Sequence, residues 1–261
     1  MLDDNLKKKF DQDGCVIIKN LLSKEKVKEI RSKVVSLAEK EKHLGKNYIY
    51  PFDESGNTQR VWNLVNKGKI FRDLLEIDIV DDFMNYIFDR ETKYQKYLLS
   101  SFQANIIHPG SERQKLHIDT PVPEPLPQWA IKANSIWCLD DFTEKNGATE
   151  FIPGSHKLPY KPTLDDDKKC EVIKACAPAG SVLISHGALW HRAGANRSNN
   201  PRIALLCSMA ASYALEIAHE EDQSLIINKD IIDNSSDHIR KIIGVGHGIK
   251  EGSLVQHQDE K

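Results

Sequence analysis

Hydrophobic positions fall at helical spacing near the start of the chain, close up into strand-like runs in its middle, and return to mixed spacing at its end. Residues 3–12 predict a short helix, Asp13-Gly14 a turn, and Cys15-Val16-Ile17-Ile18 a strand. Ser23 suits the N-cap of a helix running to about Lys42, because its hydroxyl can accept a backbone N–H that the first turn leaves free. Val27, Ile30, Val34, Val35 and Leu37 give that helix one apolar stripe. Residues 43–58 read as a polar loop and 61–65 as a short strand. Residues 69–89 read as two amphipathic helices that bury Phe71, Leu74, Leu75, Ile79, Phe83 and Ile87.

From Tyr97 the character changes. A long strand over 97–107 closes at the turn His108-Pro109-Gly110-Ser111, and further strands are predicted at 114–118, 130–139, 149–152, 171–176, 181–186 and 202–213. A helix is expected near 235–243. Short strands with Gly, Pro and Asn between them, and no helices intervening, point to a sandwich or closed barrel and not to a doubly wound sheet. Without internal repeats, the expectation is one domain over 1–261: a helical flank over about 1–93, a β core over about 94–215 and an extension over about 216–261.

Composition narrows the partners. A net charge of -2 carries no polyanion footprint, so neither nucleic acid nor an anionic membrane is expected to bind. The first residues are charged, without the apolar segment of a secretory signal, and no apolar run reaches membrane-spanning length. Five scattered cysteines suit reduced, mostly buried thiols. Together these predict a cytoplasmic protein.

The chemistry concentrates in a few stretches. His117 and Asp119 are two apart, and residues i and i+2 of a strand project from the same face. Joined by a distant histidine, they would make the two-His-one-carboxylate triad that holds Fe(II) and leaves the opposite coordination positions open. His257-Gln258-Asp259 has the same spacing, but in a polar tail with no later His, and reads as a solvated tail. His186 and His191 compete for the third position. Their odd separation puts them on opposite faces of one regular strand unless Gly187 allows a bulge.

Arg202 opens the apolar run Ile203-Ala204-Leu205-Leu206. A buried arginine there needs an anion: a dicarboxylate co-substrate gripped by its fork, or an internal pair with Asp140 or Asp141. The four prolines of 120–127 keep that loop extended, either as a passive crossover or as a wall over the metal, with Trp129 beside it as a candidate substrate contact. Gln103 and Asn105 share a strand face, so Gln103 is a second such contact. Asn146-Gly147 and Pro153-Gly154 predict turns, and His156 reads as a turn histidine, not a ligand.

His117-x-Asp119, Asn146-Gly147-x-Thr149 with Pro153-Gly154-Ser155-His156, and His191 followed by Asn196 and Arg202 resemble the phytanoyl-CoA dioxygenase family over roughly residues 10–215. The resemblance implies a double-stranded β-helix and an oxygenase dependent on Fe(II), 2-oxoglutarate and O2. It implies iron ligation by His117, Asp119 and His191, preferring His191 to His186, and a grip of Arg202 on the distal carboxylate of 2-oxoglutarate. Gln114, Trp137, Thr149 and Asn105 are implied around the co-substrate. Ser181 and Ala193 depart from residues common in relatives, an Asp and a hydroxyl respectively. Because Asp119 keeps the carboxylate that halogenating relatives lack, hydroxylation or a related oxidation of a small molecule is expected, with release of succinate and CO2. Two other readings stay open: a zinc-dependent hydrolase, since two His and a carboxylate are also a zinc set, and a non-catalytic ligand-binding barrel.

Overall fold

The computed structural model describes residues 2–43, 57–89, 95–214 and 227–246. Its strands are β1 (Cys15–Ile18), β2 (Thr58–Val61), β3 (Tyr97–Ile107), β4 (Lys132–Cys138), β5 (Thr149–Phe151), β6 (Ile173–Lys174), β7 (Val182–His186), β8 (His191–Ala193) and β9 (Arg202–Ala211). Six of them form one antiparallel sheet in the order β1-β7-β4-β9-β3-β2, and β6-β5-β8 form a smaller one. The mainly β core with flanking helices is the expected class.

Alternation along the strands sorts the side chains into two populations. Phe102, Ala104 and Ile106 of β3, Leu205 and Cys207 of β9, and Trp137 of β4 join Ile30, Phe71 and Phe83 of the helical flank in one apolar cluster. Phe71 meets Phe102 edge-on at 6.4 Å, and each such buried ring contributes roughly 1.5–3 kcal/mol. On the other face, Ile136, Cys138, Leu183 and Ala204 form a second cluster with Phe151 of the smaller sheet. Covered on both faces, β3 is buried along its whole length, which is why it reads as a continuous run. Cys15 and Cys138 belong to the second cluster, where burial pushes both thiols up to about 12, and all five cysteines are free.

The helices start where capping chemistry allows. Asp3 accepts the N–H groups of Asn5 and Leu6 at the head of α1 (Asp4–Asp13), and Ser23 accepts that of Lys26 in α2 (Lys24–His43). The stripe of α2 is shifted from the expected one: Ala38 is buried and Val35 is 40% exposed. Residues 69–87 hold α3 (Lys69–Arg72), a tight turn and α4 (Asp78–Ile87), where Val80 is buried and Ile79 only half-buried. A short α5 (Asp166–Lys169) precedes β6. Near the end lie α6 (Lys229–Asp233) and α7 (Asp237–Ile242), the latter capped by Ser236.

Two expected strands are corrected. The strand placed at 61–65 lies at Thr58–Val61, because Asn63 takes a left-handed conformation (φ 53°) and Leu64–Lys67 coil into a tight turn. Residues 114–118 are not a strand. Their one bridge is His117 to His191, and the Gln114 side chain accepts the Ala193 N–H at 2.9 Å, so a ladder does not extend. Most of the 43–58 loop and the His257–Asp259 tail lie outside the described residues.

Candidate metal centre

Main-chain hydrogen bonds bring the three candidate ligands, His117, Asp119 and His191, together. His117 and His191 exchange N–H···O bonds at 3.0 and 2.9 Å, tying the irregular segment to β8. The N–H groups of Asp119 and Thr120 both donate to the Gly187 carbonyl, at 2.8 and 3.1 Å. Gly187 lies so close to β4 that a Cβ would stand 2.6 Å from Lys132 backbone, so only glycine fits the residue that seats Asp119. The Asp119 carboxylate then lies 3.8 Å from His117 Nε2 and 3.3 Å from His191 Nε2. Among the described residues this is the one His/Cys/Asp/Glu group whose ligand atoms, all within 4.8 Å of one another, could hold a metal.

The hydrogen atoms are placed for a cation. His117 Nδ1 lies 2.8 Å from the Lys115 carbonyl, and His191 Nδ1 lies 2.8 Å from that of Leu189. A carbonyl only accepts, so both Nδ1 atoms donate, and both Nε2 lone pairs point at the shared centre. Asn134 donates to Asp119 Oδ2 at 2.6 Å and fixes the carboxylate. Burial alone would raise the Asp119 pKa; the facing His191, then His117 and Lys132, hold it well below the usual carboxylate range. Burial, and then His191, hold His117 below the ordinary imidazole value. A neutral-imidazole, ionised-carboxylate set fits a divalent cation.

The triad opens onto a cavity of about 80 Å³ that also holds Arg202. One water occupies roughly 10–15 Å³ on this measure, so several ligand atoms fit. Arg202 is 1% exposed, and burial pulls its pKa down to about 10. Its Nη2 donates to the Gly147 carbonyl at 2.6 Å, its guanidinium lies 4.3 Å from the Phe142 ring centre, and its Nε has no partner. The internal ion pair is not formed. Asp140 instead accepts from Arg31 and the Ile203 N–H, and Asp141 from the Ala179 N–H.

Gln114, Thr149, Asn105 and Gln103 line the same cavity. Trp137 does not: Ile136 takes the cavity face of β4, and alternation sends Trp137 into the helix-side cluster. Trp129 lies in a separate groove with Tyr86 and His186, 39% exposed. His186 ends β7 and His191 opens β8, with a turn between them, so of the two only His191 joins His117 and Asp119; His186 lies against His156, ring centres 5.3 Å apart and planes tilted by 48°. Three participants had no sequence signal: Asn134, Arg60 and Arg192. Arg60 enters the cavity because β2 pairs it with Asn105, a register hidden by the misplaced strand. Arg192 is matched by Glu150 and Asp167, at 2.7 and 2.6 Å.

The model of the phytanoyl-CoA dioxygenase family matches residues 10–204. The chain belongs to that family. This dioxygenase is thereby of the 2-oxoglutarate-dependent, non-haem iron class. It is 28% identical over 240 residues to dioxygenase af480 of Aspergillus fumigatus, covering 90% of this chain and 75% of the relative. It is 29% identical over 238 residues to dioxygenase FUM3 of Gibberella moniliformis, covering 84% and 74%. Among solved structures, the alpha-ketoglutarate-dependent carbocyclase SnoK of nogalamycin biosynthesis superposes with a TM-score of 0.66 at 20% identity, over 81% of this chain and 85% of that one. HygX from Streptomyces hygroscopicus, solved with nickel, 2-oxoglutarate and hygromycin B, gives 0.62 at 15% identity over 81% and 88%. These likenesses show the double-stranded β-helix fold of this dioxygenase.

Proposed function

We propose that His117, Asp119 and His191 hold Fe(II), that Arg202 grips the distal carboxylate of 2-oxoglutarate, and that a small organic molecule is hydroxylated or otherwise oxidised with release of succinate and CO2. One observation carries the reading: a wholly buried guanidinium with no carboxylate partner among the described residues opens onto the same cavity as the three ligands. A buried cation without its anion is costly, and a dicarboxylate from solution supplies the anion. A zinc hydrolase would leave Arg202 without a task, and a passive barrel would bind its ligand without turnover.

Bound iron would supply the redox chemistry that couples O2 and 2-oxoglutarate to substrate oxidation. The chain does the rest. Its two imidazoles present lone pairs, Asn134 orients the carboxylate, and Gln114, Thr149, Asn105 and Arg60 add polar groups for the co-substrate. The proline loop that follows Asp119 is tied to residues 159–161 by Leu126 N–H to Pro159 O at 2.7 Å and Lys161 N–H to Glu124 at 2.7 Å. We further read the chain as one domain acting on a small molecule in the cytoplasm. No described helix is long and apolar enough to cross a membrane.

The test is succinate formation from 2-oxoglutarate by purified protein with Fe(II) in air. Turnover that requires iron and vanishes in His117→Ala and Asp119→Ala is expected. Succinate at the same rate in either variant would refute the assignment.

A further inference from the structure

Three adjacent strands of the larger sheet bring Ser101, Ser208 and Asn134 into one cross-strand row, Ser101 opposite Ser208 and Ser208 opposite Asn134. All three line the cavity and are 1%, 5% and 7% exposed. Through its bond to Asp119, Asn134 joins this row to the metal centre. The hydroxyl oxygens of Ser101 and Ser208 have no hydrogen-bond partner, nor does Oε1 of Gln103, which lines the cavity one step nearer Arg202. A buried hydroxyl left unpaired costs roughly 1–3 kcal/mol, and alanine would remove that cost without disturbing the sheet. The sheet gains nothing from these hydroxyls. A ligand would.

That ligand is not the co-substrate. Arg202 and Ser208 lie six residues apart on β9, roughly 20 Å in an extended strand. From its bond lengths 2-oxoglutarate spans at most about 6 Å, so a molecule held at Arg202 does not reach the serines. The row also contains no charged side chain. Arg192 is matched by Glu150 and Asp167, the Asp119 charge faces that of Lys132, the next residue on this face of β4, and Arg60 lies opposite Asn105, on the Arg202 side of the row. The two hydroxyls donate and accept and the amide oxygen accepts, which suits neutral oxygen groups; a carboxylate calls for a cation and an ammonium for an acid.

We propose that Ser101, Ser208 and Gln103 receive the hydroxyl or carbonyl oxygens of an uncharged, oxygenated substrate and so hold a neighbouring carbon toward the metal. This rests on the oxygenase reading above, and the two can fail separately.

Anaerobic protein loaded with Fe(II) and 2-oxoglutarate is followed by its charge-transfer absorbance while hexylene glycol, hexylamine or hexanoate is added. Hexylene glycol is expected to perturb the band at the lowest concentration. The Ser101→Ala/Ser208→Ala protein should keep the band, need about a hundredfold more of the glycol, which corresponds to about tenfold for each of two lost hydrogen bonds, and melt no lower than the parent. The proposal is overturned if the band forms but the probes act alike, if the variant responds as the parent does, or if it melts lower, since the hydroxyls then serve the fold. If the parent gives no band, the oxygenase reading falls and this proposal with it.

Discussion

Arg202→Met should separate what this arginine does for the co-substrate from what it does for the fold. Methionine keeps most of the length and removes the charged fork. In the protein Arg202 makes one hydrogen bond, to Gly147 O, and lies over Phe142, while its Nε has no partner. Gripping a carboxylate would add two charge-assisted bonds of roughly 1.5–3 kcal/mol each. Their loss is about 3–6 kcal/mol, or two to four orders of magnitude in 2-oxoglutarate affinity. Stability should move little, because replacing a buried, poorly compensated charge by an apolar side chain of similar volume is often neutral. Anaerobic titration of the Fe(II) protein with 2-oxoglutarate, read by charge-transfer absorbance, gives the affinity, and thermal unfolding gives the stability. Arg202→Lys, which keeps the charge without the fork, should fall between. An affinity within a few-fold of the parent, or a protein that no longer folds, would refute the reasoning and leave Arg202 a structural residue.

Other expectations follow from the same geometry. His191→Ala should abolish Fe(II) binding in equilibrium dialysis while His186→Gln retains it; the reverse would move the metal centre. Asn134→Leu should weaken metal binding by about 10–100-fold through loss of the bond that orients Asp119, and unchanged affinity would show that the bond does not matter. Gly187→Ala forces a Cβ to 2.6 Å from Lys132 backbone, so it should lower both melting temperature and iron affinity, and a variant with parental values would contradict the close approach. His186 is held near 3 by burial and by His156, against about 6.5 in an unfolded chain. The unfolded chain therefore binds a proton that the folded one refuses. Stability should be full above pH 6.5 and decline on acidification by up to about 1.4 kcal/mol per pH unit until about pH 3. His186→Phe should flatten that slope in urea unfolding at pH 7 and pH 5, and an unaltered slope would remove His186 as its source.

What could be read from the residues follows from locality. The candidate triad could be picked out because His117 and Asp119 are neighbours and because His191 and Arg202 keep a family spacing. The long strand at 97–107 was legible because both its faces are buried. Trp137 was put beside the co-substrate by the family resemblance alone: β4 is apolar at 136 and 137 alike, and only its pairing with β7 and β9 decides which one faces the cavity. Arg60 was hidden for a similar reason, since the end of β2 is set by the backbone of Asn63, not by an apolar pattern. Asn134 and the two serines sit in an apolar context and acquire meaning only when three strands align. Segment 114–118 carries strand-like residues, yet a glutamine side chain and a single bridge take the place of the ladder.

Alternation has a further result for the lineage of this fold. On β3 beyond its bulge at Leu99/Ser101, and on β4 and β9, alternate residues face the helix-side core, and those between line the cavity or, like Cys138 and Ala204, join the second apolar cluster. Changes at 101, 103 or 208 can therefore alter what the cavity accepts without touching the apolar contacts that keep the sheet folded, whereas 134 is tied to Asp119 and is not free to drift. Stability and selectivity are written on opposite faces of the same strands, so descendants of one such chain can acquire new substrates by single steps while inheriting the metal centre intact.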